Sequence, residues 1–102
     1  MTYIRFNVAP VRHYLFVNDH VYTLREWNAY PKTCIAVYDS KNGQLNTIGK
    51  VSVTKITEVD QANTLIPYVN ESGFTDISEW WNTACGIHKT SNFTLYLVKL
   101  SQ

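Results

Sequence analysis

Apolar and polar positions alternate over residues 2–8, with Ile4, Phe6 and Val8 on one side and Tyr3, Arg5 and Asn7 on the other. That is the period of a strand with one wet face. Pro10 suits the first turn of a helix, and Val11, Tyr14, Leu15 and Asn18 recur at i, i+3, i+4 and i+7, so a short helix is predicted over residues 10–18. Asn18 is placed to end it in a left-handed conformation, Phe16 and Val17 to widen its apolar face, and Arg12, His13 and Asp19 to meet water. Period two then returns. Val21, Thr23 and Arg25 share one face of a second strand, while Tyr22, Leu24 and Glu26 share the other, with Tyr22 and Leu24 expected on the core side. Tyr30-Pro31 disfavours helix and marks residues 28–32 as a loop.

Residues 33–39 form a β-favouring run stopped by Asp39-Ser40-Lys41-Asn42-Gly43, a hairpin signal. In the strand that follows, Ile48, Val51, Val53 and Ile56 keep their alternation only if one residue is extra between 48 and 56, which predicts a bulge near Gly49. Leu65, Ile66, Tyr68 and Val69 suggest a helical face, but Pro67 costs about 3 kcal/mol inside an α-helix, so a helix there starts at Pro67 or is broken. Asp76 and Glu79 make a capping box, with Ile77, Trp80, Trp81 and Ala84 at helical spacing before Gly86, predicting a helix of about ten residues. Adjacent indoles lie about 100° apart on a helix, so both do not enter one core layer: Trp80 in the core with Ile77 and Ala84 and Trp81 partly exposed is the favoured assignment, and the reverse is the alternative. Residues 92–100 read as a closing strand. Hairpins without regular βαβ alternation argue for an α+β fold with a mostly antiparallel sheet.

A chain of 102 residues, 45% hydrophobic and 17% charged, is one globular domain spanning residues 1–102 and not a disordered tract. No apolar run approaches the ~18 residues of a membrane span and no signal-peptide pattern opens the chain, so a cytoplasmic protein away from membranes is expected. The sequons at Asn70 and Asn92 then carry no information. Cys34 and Cys85 stand far apart, and His13, His20 and His88 lack ligand spacing, so neither metal nor cofactor is expected and the thiols read as buried. A net charge of +1 excludes the overall basic field that drives non-specific nucleic-acid binding. Residues 1–57 nevertheless carry seven Lys/Arg against three Asp/Glu, and residues 58–102 two against five, so an anionic ligand is expected to meet the first half unless the charges are scattered.

Candidate chemistry concentrates in residues 17–27. Arg25 offers a bidentate donor for phosphate or carboxylate, and Thr23 a hydroxyl on the same strand face. The alternative for Arg25 is an ion pair with Glu26, Glu58 or Glu79 at a rim. Trp27 either stacks a base or covers the core, and His20 is either a general acid or base or an exposed turn residue. Asn18-Asp19-His20-Val21-Tyr22-Thr23-Leu24-Arg25 resembles the ASCH-domain signature Gly-x-Lys-x-x-Thr-hydrophobic-Arg. Thr23, Leu24 and Arg25 match, while Asn18 and His20 stand where that family has Gly and Lys. Ile48-Gly49-Lys50-Val51 and Ser72-Gly73-Phe74-Thr75-Asp76-Ile77-Ser78-Glu79-Trp80 are similar to two further family stretches, and the likeness runs over residues 3–100.

The resemblance implies a small PUA-like β-barrel with two or three short helices. It further implies an RNA- or nucleotide-binding cleft between the barrel and the last helix, here formed by Thr23, Arg25, Trp27, Lys50 and Trp81 and working by positioning and stacking. Some ASCH-like proteins hydrolyse an acylated cytidine amide with the motif Lys, the Thr and a carboxylate, and others are associated with ribonuclease activity. A hydrolase of N4-acylcytidine or RNA using His20, Thr23 and Glu58 is therefore the second expectation, although an imidazole does not simply inherit the part of an amine nucleophile. A third is an interaction or structural protein without a small ligand, viral or mobile-element products included, with a homodimer burying Trp27 and Trp81.

Overall fold

The alternating stretches fold as five strands and the helical ones as two α-helices and a 3-10 segment. The computed structural model describes residues 2–88, 90 and 92–101, with His88 described by its backbone alone. In chain order the elements are β1 (Tyr3–Arg5), α1 (Ala9–Asn18), β2 (His20–Arg25), β3 (Thr33–Asp39), β4 (Leu45–Val59), the 3-10 segment (Ala62–Glu71), α2 (Ile77–His88) and β5 (Phe93–Leu100). The fold is α+β, and no helix among the described residues is long and apolar enough to cross a membrane.

The strands form one sheet in the order β1-β3-β4-β5-β2, with β1 parallel to β3 and the other ladders antiparallel. No ladder joins β1 to β2, so the sheet is open where a closed barrel was expected. The cause is local. β1 ends after three residues because the chain turns into α1, and the Asn7 side chain takes over where the backbone leaves the ladder, its Oδ1 accepting from the Asp39 amide at 2.8 Å. The sheet still curls. The fifteen-residue β4 carries two register shifts, leaving Ile48 unpaired against β3 and Ile56 unpaired against β5, where the alternation predicted one. Each extra residue adds bend and twist to its strand. The edges approach closely enough for the Arg25 guanidinium to lie 4.8 Å over the Phe6 ring.

One apolar core fills the curl and the space under the helices, with Ile4, Leu15, Val21, Cys34, Val51, Leu95 and Val98 shut off from water. β2 departs from the expected two-faced pattern because both its faces are covered. Val21 and Thr23 are buried beside Val98 and Tyr96 of β5, and Tyr22 meets Tyr68 of the 3-10 segment with ring centroids 4.9 Å apart. Leu24 is buried as expected.

α1 lies where its periodicity put it, but the left-handed residue is Asp19 (φ 63°), one beyond Asn18, and its amide donates to Leu15 O. Phe16 and Val17 do not join the buried face. They are 51% and 64% exposed, because at 100° per residue they fall off the Val11–Leu15 stripe. Arg12, expected in water, is half-buried with its guanidinium 4.7 Å over the Tyr38 ring and Nη1 donating to Phe6 O at 3.0 Å. Pro67 is accommodated by the tighter 3-10 winding of residues 62–71, which buries Leu65 and leaves Ile66 exposed. Half of the capping box forms, the Glu79 amide donating to Asp76 Oδ1 at 2.7 Å, while the Glu79 carboxylate accepts from Thr75 Oγ1 at 3.3 Å. The helix then runs through Gly86 instead of stopping there. Trp80 is buried and Trp81 half-buried; Cys34 is buried, whereas Cys85 is only partly covered.

Candidate functional site

A cavity of about 230 Å³ lies where the unpaired edges of the sheet face each other. Thr23, Leu24 and Arg25 of β2 line one side, and Arg5 with the turn through Phe6, Asn7 and Val8 lines another. α2 supplies Trp80, Thr83, Ala84 and Ile87, the i, i+3, i+4, i+7 stripe of an α-helix, and Phe74 completes the wall. Apolar side chains dominate, with a few polar groups among them, which is the make-up of a small-molecule pocket.

Thr23 and Arg25 project together into this concavity, Arg25 Nε donating to Thr23 Oγ1 at 3.3 Å. Thr23 is buried and Arg25 half-buried. Desolvation lowers the guanidinium's pKa below its ordinary value, and the Tyr30 hydroxyl beside it works in the opposite direction. The group stays charged at neutral pH because guanidinium starts so far above it. Among the described residues no carboxylate lies within ion-pair distance of Arg25, so the expected alternatives of Glu26, Glu58 or Glu79 as its partner do not form. Its neighbours are the Phe6 face, the Thr23 hydroxyl and Tyr30.

The other sequence candidates lie elsewhere. Trp27 is 48% exposed and packs edge-on against Tyr30 at 4.5 Å, outside the cavity wall; the indole that flanks Arg25's cavity is Trp80. Trp81 packs on Phe93 at 5.5 Å, and Lys50 is exposed on β4 opposite Ile35; neither lines the cavity. His20 sits at the far end of β2, with Nε2 2.8 Å from Glu71 Oε1 and Nδ1 2.9 Å from Asn18 O. The contact with Glu71 is a clip between β2 and the 3-10 segment. Beside it, burial first and the Glu71 carboxylate second raise the Tyr22 phenol.

Glu58 pairs with Lys55 at 3.9 Å and lines a separate acidic depression with Glu26 and Asp60. His20 and Glu58 face β5 at Lys99 and Thr94, five positions apart, which is about 17 Å along a strand. The trio His20, Thr23 and Glu58 is therefore not assembled. No group of three or more His, Cys, Asp or Glu among the described residues is placed to hold a metal ion.

Sequence reasoning passed over Tyr30, Arg5, Phe6, Phe74 and Thr83. The α2 stripe through Thr83 and Ile87 was open to periodicity, whereas Tyr30 lies in a loop where no pattern assigns a direction. The Tyr30 ring bridges Trp27 to Tyr96 (5.3 Å), whose hydroxyl donates to Trp27 O at 2.9 Å, so the loop is tied to β5 behind Arg25. No protein-family model, curated protein or solved structure matches the chain.

Proposed function

We propose that the chain is an RNA- or nucleotide-binding module of the ASCH, PUA-like kind, holding one nucleotide between the curled sheet and α2. In that arrangement the Arg25–Phe6 contact is the seam at which an ASCH-like barrel comes together. The observation that carries the proposal is a partly dehydrated guanidinium in a mainly apolar cavity with no carboxylate to neutralise it among the described residues. An anion entering beside Arg25 supplies the missing charge, and charge-assisted bidentate hydrogen bonds to a phosphate are strong. Phe6, Phe74 and Trp80 are buried and form the apolar floor of the cavity, while Thr23 and Thr83 offer hydroxyls to the polar rim of a base. Trp27 is then a neighbouring aromatic and not part of the pocket.

Calorimetric titration of the chain with nucleoside monophosphates and a short single-stranded RNA tests this. Saturable binding is expected, with Arg25→Gln weakening it by about tenfold or more while the circular dichroism spectrum is kept. No saturation by any of these ligands at about 1 mM, which corresponds to roughly 4 kcal/mol of binding free energy, overturns the proposal. Equal affinity in Arg25→Gln overturns the assignment of Arg25.

A further inference from the structure

We infer that the cavity selects a ligand bearing a single negative charge, so that a cyclic or diester-linked phosphate is taken in preference to a phosphomonoester or a polyphosphate. The inference rests on the nucleotide reading above and adds the charge of its ligand. Among the described residues two ionisable side chains line the cavity, Arg5 and Arg25. Arg5 has a counter-charge beside it and also faces solvent: its Nε lies 3.5 Å from Asp39 Oδ2 in an exposed pair. That carboxylate is fixed in turn by the Asn7 side chain, which donates to Oδ2 at 2.9 Å and accepts from the Asp39 amide. The nearby guanidinium of Arg12 is turned away, over Tyr38 and onto Phe6 O.

Among the described residues one cation without a counter-charge therefore remains. A first negative charge relieves it, while a second loses hydration against the apolar floor of Phe6, Phe74 and Trp80 with no further free cation among the described residues to receive it. A phosphomonoester carries about −1.5 to −2 at neutral pH, whereas a diester has a single acidic proton and carries one negative charge. The same geometry makes Asp39 the determinant of charge preference, because removing its carboxylate leaves Arg5 uncompensated at the cavity wall.

Titration with the 3′,5′-cyclic phosphate, the 5′-monophosphate and the 5′-triphosphate of adenosine and of cytidine reads this directly. For the native chain the cyclic phosphate is expected to bind tightest, the monophosphate about tenfold weaker and the triphosphate weaker again, as an unmatched charge in a poorly hydrated site requires. Asp39→Asn, which keeps shape and leaves Arg5 without its partner, is expected to bring the monophosphate level with the cyclic phosphate or above it. Tightest binding of the monophosphate or triphosphate to the native chain overturns this inference and leaves the nucleotide reading standing. Absence of binding by all six compounds overturns both.

Discussion

Arg25 is the residue on which the molecule's stability and its proposed role pull in opposite directions. Its guanidinium gives up hydration, which lowers its pKa, without gaining a carboxylate among the described residues, and its return is a 3.3 Å hydrogen bond, a ring face and the Tyr30 hydroxyl. Apolar replacement of a buried charge is often neutral or stabilising. Arg25→Met is therefore expected to match or exceed the native chain in urea denaturation, by up to about 1 kcal/mol, while losing ligand binding. A loss of more than about 2 kcal/mol would show that the guanidinium holds the fold together instead. The pairing of Thr23 with Arg25 was legible because two residues apart on a strand means one face. Trp27 was not, because β2 ends at Arg25 and the period that assigns directions ends with it. Tyr30 sits beyond the same boundary, so the group that touches Arg25 from the loop had no sequence signature.

Among the elements, the relation between α1 and the segment leading into α2 depends on Gly73. It has φ +88°, and a Cβ there would stand 2.4 Å from the Pro10 carbonyl oxygen. Both effects penalise any side chain, and Gly73→Ala is expected to cost about 2–3 kcal/mol, measured as a fall in the urea midpoint with unchanged slope. Phe74 and the start of α1 both reach the cavity, so the same substitution should also weaken ligand binding. The start of α2 was readable from Asp76 and Glu79 because a cap is a local hydrogen bond. Its end was not, since a glycine lowers helix propensity by only about 1 kcal/mol and packing overrides that. For the same reason Phe16 and Val17 looked like core in sequence: an apolar side chain is visible there, but whether the sheet lies beneath it is a tertiary matter.

At the scale of the whole molecule, the fold class followed from the order of strands and helices, whereas openness of the sheet did not, because it turns on how far three residues of β1 reach. The buried hydroxyl and thiol groups give the molecule a measurable pH dependence. Burial raises the phenols of Tyr22 and Tyr96 above 10.0 and the thiol of Cys34 above 9.0. Above those values the unfolded chain has released protons that the folded chain still holds. Stability is thus complete below about pH 9 and falls as pH rises through the folded-state values. Urea midpoints at about pH 8 and pH 10.5 should show the fall, and Tyr96→Phe should make it shallower. An unchanged midpoint would mean these groups ionise freely in the native chain.

The walls of the cavity come from opposite ends of the polypeptide, with one side made within the first 25 residues and the other after residue 73. During synthesis Arg25 therefore leaves the ribosome long before α2 exists to dehydrate it. Ligand capture becomes a late event, reserved for chains whose last quarter has been made and packed.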